Sequence, residues 1–303
     1  MSALDKHKNP PNDFTPTIPP PDRDTKTPKF KLPHNATDAH CHIFGPGDKY
    51  PFAPDRSYTP PDSGLEKFAA LQAKLGLTRA VIVNASCHGN DNTVCLDAIA
   101  QSNGRYRAVA NIDDTFSEEA IAELHKGGIR GCRFNFVAHL GGVPDMRVFH
   151  NVVDKIKNFG WSLDVHFDAI DLPEYAPMLA KLPVIYTIDH MGRVKASDGL
   201  QQKPFECLVN LIKDDEKCWV KVCGSERVSS TGYPFHDAVP FARQICELAP
   251  DRIIWGTDWP HPNVKQMPND GDLVDLIPLF APEPELQQKL LVTNPGRLYF
   301  DEK

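Results

Sequence analysis

Two histidines separated by one residue, His40 and His42, and three residues far from them in the chain, His166, His190 and Asp258, are the side chains best suited to chemistry here. In an extended segment successive side chains alternate faces, so His40 and His42 project to the same side about 7 Å apart along the strand and can share one cation. His166 stands in Asp164-Val165-His166-Phe167-Asp168, His190 in Ile188-Asp189-His190-Met191-Gly192-Arg193, and Asp258 in Gly256-Thr257-Asp258-Trp259-Pro260-His261-Pro262. Three histidines plus one carboxylate satisfy a zinc-like ion and leave a position for water. Each piece alone has an ordinary structural reading, as a hydrogen-bonded core histidine or a carboxylate held by backbone donors. Their joint placement is what points to a site.

Short β-branched runs must present these residues. Eight strand candidates recur, over residues 37–44, 79–86, 106–113, 129–136, 161–169, 183–191, 218–226 and 251–259. Helical patterns alternate with them over 63–74, 93–101, 117–125, 146–158, 173–181, 203–213 and 237–248. Strands too apolar to face water on either side, alternating with helices, predict an α/β fold with a parallel sheet covered by helices. Eight such units close into a (β/α)8 TIM barrel, in which functional residues sit at the carboxyl ends of the strands. An open doubly wound sheet is the alternative, weakened because no strand is followed at once by a G-x-G-x-x-G turn.

The composition narrows the function. Hydrophobic residues make up 41% and charged residues 24%, ordinary for a chain with a sizeable core. Lys plus Arg total 33 against 40 for Asp plus Glu, so the net charge of -7 offers no long-range basic field for nucleic acid. No apolar run approaches the ~20 residues that cross a bilayer. Residues 1–35 carry eight prolines, Pro10 and Pro11 among them, and are expected as an extended arm ahead of a barrel spanning 36–303. Charges and prolines near the start leave no secretory core. Eight cysteines without paired spacing read as reduced thiols of a cytoplasmic protein.

Arg133, Arg193 and Arg227 fall at or just after strand ends, where guanidinium forks can hold carboxylate or sulfonate oxygens. Arg133 sits inside the apolar segment 132–136 and needs an anionic partner to be tolerated there. Ser86 and His88, after the second strand, can donate hydrogen bonds to a substrate. Tyr50, Tyr58, His125, His150 and His236 are read as structural or solvated.

With these motifs in place the chain resembles the amidohydrolase superfamily, whose hallmark is H-x-H, His, His and Asp on a (β/α)8 barrel. Residues 38–46, Ala85-Ser86-Cys87-His88-Gly89, Arg133-Phe134-Asn135-Phe136, 188–193, 255–263 and Leu291-Val292-Thr293-Asn294-Pro295 are similar to the 2-pyrone-4,6-dicarboxylate hydrolase-like lactonases. The resemblance runs from about residue 36 to the end.

It implies a metal-dependent hydrolase of a small anionic lactone in aromatic-compound catabolism. His40, His42, His166 and Asp258 would hold one zinc ion, Asp258 would shuttle the proton, and His190 would orient the nucleophile. Arg133, Arg193, Arg227, Ser86, His88 and His139 would contact the substrate. Two departures bear on specificity. The pyrone hydrolases, which work without a metal, have a tyrosine where this chain has His166 and Lys-Arg where it has Ala138-His139. Both changes point toward 4-sulfomuconolactone, opened to maleylacetate with loss of sulfite. The metal-free pyrone hydrolase, a metal-dependent decarboxylase or hydratase, and a non-catalytic small-acid binder are the alternatives. The oligomeric state stays open.

Overall fold

The computed structural model describes residues 13–301, so Pro10 and Pro11 of the expected arm lie outside the described residues. Eight strands run in chain order around one parallel sheet: β1 Thr37–Cys41, β2 Arg79–Val83, β3 Tyr106–Ala110, β4 Ile129–Asn135, β5 Ser162–His166, β6 Tyr186–Ile188, β7 Cys218–Lys221 and β8 Ile253–Ile254. The first and last strands meet through main-chain bonds from Ala39 N to Trp255 O (2.8 Å) and from Asp258 N to His40 O (2.7 Å). Asp38 reinforces that seam by accepting from the amide and the hydroxyl of Thr257 at 3.0 and 2.6 Å. Burial pushes the Asp38 carboxyl up to about 7. The approach is close enough that a Cβ at Gly256 would stand 2.4 Å from His40 N, so only glycine fits there. The protein is therefore a (β/α)8 barrel.

Helices cover the outside: α1 Leu65–Leu75, α2 Thr93–Gln101, α3 Glu118–Lys126, α4 Met146–Ile156, α5 Leu172–Leu179, α6 Lys203–Asp214, a single turn α7 Ser225–Val228, and α8 Val239–Leu248. In α4 the buried Phe149, Val152, Val153 and Ile156 recur at helical spacing, and the Asp145 side chain accepts from Arg147 N to cap its start. Beyond β8 the chain adds α9 Asp270–Phe280, α10 Pro284–Gln288 and α11 Asn294–Tyr299, which the helical patterns read from the sequence did not include. The strands are shorter than their apolar runs because the last residues of each run leave the sheet to form the loops of the site. None of the helices among the described residues is long and apolar enough to cross a membrane.

Strand alternation sorts the side chains. Ile82, Ala108, Cys132, Phe134, Leu163, Val165, Tyr186 and Val220 join the main core with the helices, whereas Val81, Val83, Val109, Trp219 and Ile254 form a separate cluster with Tyr299. The residues alternating with the helix-facing set on β4 to β7 are largely polar: Arg133, Asn135, Asp164, His166, Thr187 and Lys221. On β1, Asp38 to Cys41 opposes only Ala80 to Ile82, a bulge at the H-x-H segment of the kind that re-aims side chains beside active sites.

Residues 13–36 contain no helix or strand. Prolines deny this segment ladder donors, and apart from the main-chain bond from Thr17 N to Thr59 O (2.8 Å) it is held largely by side chains. Thr59 N donates to Thr17 Oγ1 (2.9 Å), Lys26 Nζ to Asp272 (2.6 Å) and Phe30 N to Asp275 (2.8 Å), which ties it first to the loop after β1 and then to α9.

Candidate active site

Asp258 is the hub. Its Oδ1 lies 3.5 Å from His40 Nε2, 3.3 Å from His42 Nε2 and 3.9 Å from His190 Nε2. Its Oδ2 accepts from Arg227 Nε (2.8 Å) and Nη2 (2.5 Å). Both Asp258 and His190 sit at positive φ, 65° and 52°, a strained backbone just past the strand ends that turns their side chains into the site. Burial would raise the Asp258 carboxyl, but the Arg227 guanidinium beside it outweighs this and holds the group well below the usual carboxylate range.

Hydrogen-bond partners fix what each imidazole can offer. His42 Nδ1 lies 2.7 Å from the Val83 carbonyl, which only accepts, so the proton is on Nδ1 and the Nε2 lone pair faces Asp258. Two acceptors 3.3 Å apart, with Asp258 Oδ1 lacking any hydrogen-bond partner, call for a cation or a donor between them. His40 Nε2 is likewise buried and unpartnered. The ligand atoms of His40, His42 and Asp258 all lie within 4.8 Å of one another, a donor set that fits one zinc-like ion. Burial and then the nearby Lys221 charge push the His40 imidazole down to about 3, so it is neutral.

His166 departs from the ligand role expected of it. Arg193 Nη1 donates to its Nε2 at 3.1 Å, which forces the proton onto Nδ1, where it is donated to Asn135 Oδ1 (2.9 Å). Both ring nitrogens are thus engaged away from the cluster. His190 is the third histidine around Asp258 Oδ1 instead. Its Nδ1 lies 3.3 Å from Cys223 Sγ, and a Cβ at Gly224 would come within 3.0 Å of the ring, so β7 and its loop cradle it.

A narrow cavity opens above the cluster. Ser86, Arg133, His139 and Arg227 line it together with His42, His166, His190 and Asp258. Tyr58, Leu140, Pro262 and Asn263 line it too. Tyr58, read from the sequence as structural, is buried and lines the cavity, because the loop after β1 folds back over the mouth. His88 lies apart from it. Its ring packs on Phe52 with centroids 5.0 Å apart, its Nδ1 meets the Pro51 carbonyl at 3.2 Å, and it does not line the cavity. Arg193 does not line it either, being spent on His166 and on Asp168 Oδ1 (3.2 Å). His139 stands at the exposed rim; burial and then Arg193 lower its pKa, so it adds no charge at neutral pH.

Beneath the site lies an ionic layer that the motifs did not reveal. Lys221 Nζ donates to Asp164 Oδ2 and to His40 Nδ1 (3.1 Å) and forms an ion pair with Asp189 Oδ1 at 3.2 Å, and all four side chains are fully buried. Asp189 Oδ2 meets Arg133 Nη2 at 3.0 Å, which supplies the anionic partner that a guanidinium on β4 requires. The only sequence signal for this layer was the presence of charges at inward positions of otherwise apolar strands.

The chain matches the amidohydrolase family model over residues 37–300. It is 45% identical over 285 residues to a 2-pyrone-4,6-dicarboxylate hydrolase of Comamonas testosteroni, an alignment that covers 91% of this chain and 93% of the relative. Identity to a 4-sulfomuconolactone hydrolase of Hydrogenophaga intermedia is 41%, covering 89% and 90%. The crystal structure of an Agrobacterium tumefaciens protein, solved in its apo form, superposes with a TM-score of 0.80 at 29% identity, covering 90% and 98%.

Proposed function

The chain belongs to the amidohydrolase family, and from that premise we propose that it hydrolyses the ring ester of a small anionic lactone, with Asp258 as the base. The observation that carries this reading is the division of labour within one carboxylate. Arg227 occupies Oδ2, while Oδ1, unpaired and at the cavity floor, is free to take a proton from water. Both curated relatives described above are hydrolases of rings of this kind, which supports the substrate class.

In this reading Asp258 Oδ1 removes a proton from the attacking water and returns it to the oxygen that leaves when the ring opens. His190 sits beside the same oxygen and orients the water. Arg133 and Ser86 on the cavity wall, with the free edge of Arg227, position the anionic substituents. His40, His42 and Asp258 would hold one zinc ion, without His166. When bound, that ion supplies Lewis acidity and lowers the pKa of a water toward about 7.

We therefore expect about one zinc per chain in protein purified without chelator, and loss of activity together with the metal on chelation. Active protein free of metal would overturn the zinc assignment and leave Asp258 activating water unaided.

For the substrate, 4-sulfomuconolactone is proposed over 2-pyrone-4,6-dicarboxylate. His139 is neutral at a rim position where a second arginine would grip a carboxylate, and His166 is committed to Asn135 and Arg193. A lost charge-assisted contact costs about 1.5 to 3 kcal/mol, roughly ten-fold or more in kcat/KM. Side-by-side kinetics test this: kcat/KM should be higher for the sulfonated lactone, and a value for the pyrone dicarboxylate equal to or above it would promote the pyrone hydrolase reading.

A further inference from the structure

We propose that Glu226 is a positioning residue for the reaction, holding the Arg227 guanidinium in the orientation that keeps one oxygen of Asp258 occupied and the other open. The proposal rests on the reading of Asp258 as the base. Glu226 lies on α7, one residue before Arg227, and its side chain is 0% exposed, yet neither of its oxygens has a hydrogen-bond partner. A buried carboxylate without hydrogen bonds costs stability, and a neutral residue of the same shape would stabilise the fold more.

What Glu226 meets is charge. Its Oε1 stands 3.5 Å from Arg227 Nε and 4.0 Å from His261 Nδ1, and His261 is tied through Nε2 to Asp270 Oδ1 (3.0 Å) at the first residue of α9. Ionisable groups thus run in line from Asp270 through His261, Glu226 and Arg227 to Asp258. A guanidinium bound to a single carboxylate can pivot about it or follow an anionic substrate. A second anion on the Nε edge, with Pro262 O accepting from Nη2 at 2.9 Å, fixes its plane. The placement of Asp258 Oδ1 follows from that plane.

The test is Glu226→Gln, which keeps the shape and removes the charge. We expect kcat to fall about ten-fold or more with KM changed less than about three-fold, and the thermal midpoint to hold or rise. A purely structural role gives the reverse, a lower midpoint with kcat per folded molecule intact, and kcat within about two-fold of the parent overturns the proposal. Glu226→Asp keeps the charge and carries the test if the glutamine variant does not fold; it should retain more activity than Glu226→Gln or, without it, outperform Glu226→Ala. An aspartate variant that does neither defeats the charge argument. A second stoichiometric metal ion that depends on Glu226 would also overturn it. If the parent opens neither lactone, the functional reading fails separately, and the Arg227 Nε–H signal in NMR still decides: its exchange with water should speed about ten-fold in the variant, and unchanged exchange refutes the positioning role.

Discussion

Asp258→Asn lowers kcat by about 10²- to 10⁴-fold in a protein that remains folded, because the amide keeps the shape of the carboxylate but cannot accept a proton. The size of the effect follows from the geometry. Oδ1 is the unpaired oxygen at the centre of His40, His42 and His190, and among the described residues no second carboxylate lines the cavity to take over. Substrate binding should weaken less, since Arg133 and Ser86 are unaffected. The pH profile gives an independent check. Arg227 depresses the Asp258 pKa, so the base stays ionised through the ordinary carboxylate range and its function is lost only below that range. A folded Asp258→Asn variant with near-normal turnover, or a parent whose activity falls away between about pH 5 and 6, would refute the assignment.

Lys221→Met destabilises the fold by about 3 to 5 kcal/mol, the cost of leaving buried charge uncompensated. Burial alone would strip the Lys221 proton, but Asp164 and Asp189 raise its pKa instead, so the ammonium is charged and serves both carboxylates at once. Methionine fills the volume and serves neither. Asp189 retains Arg133, whereas Asp164 keeps only the Thr187 hydroxyl, so most of the penalty falls on β5. Denaturant unfolding measures the change. A double variant that also carries Asp164→Leu should recover part of the loss, because removing both partners of a buried pair is far less costly than removing one. A loss below about 1 kcal/mol in Lys221→Met would show that the layer is not a charged one.

The barrel could be read from the sequence because its signals are local. β-branched runs alternating with helical patterns specify strand, helix and order, and H-x-H on β1 with Asp258 after β8 announces a site, since residues two apart on a strand share a face regardless of the rest of the molecule. The helices after β8 carried no strand to pair with and so gave no repeating unit to recognise.

Partner choice was another matter. His166 and His190 are equivalent as motifs, each at a strand end, yet Asn135 and Arg193 claim both nitrogens of the first, while the positive φ of the second turns it onto Asp258. Arg227 grips a carboxylate 31 residues away and Lys221 a histidine 181 residues away. Strand periodicity fixes the face on which a side chain lies, but inside a closed barrel that face is common to all eight strands. Which charge meets which is decided by register, bulge and loop geometry, and these exist only once the barrel is closed.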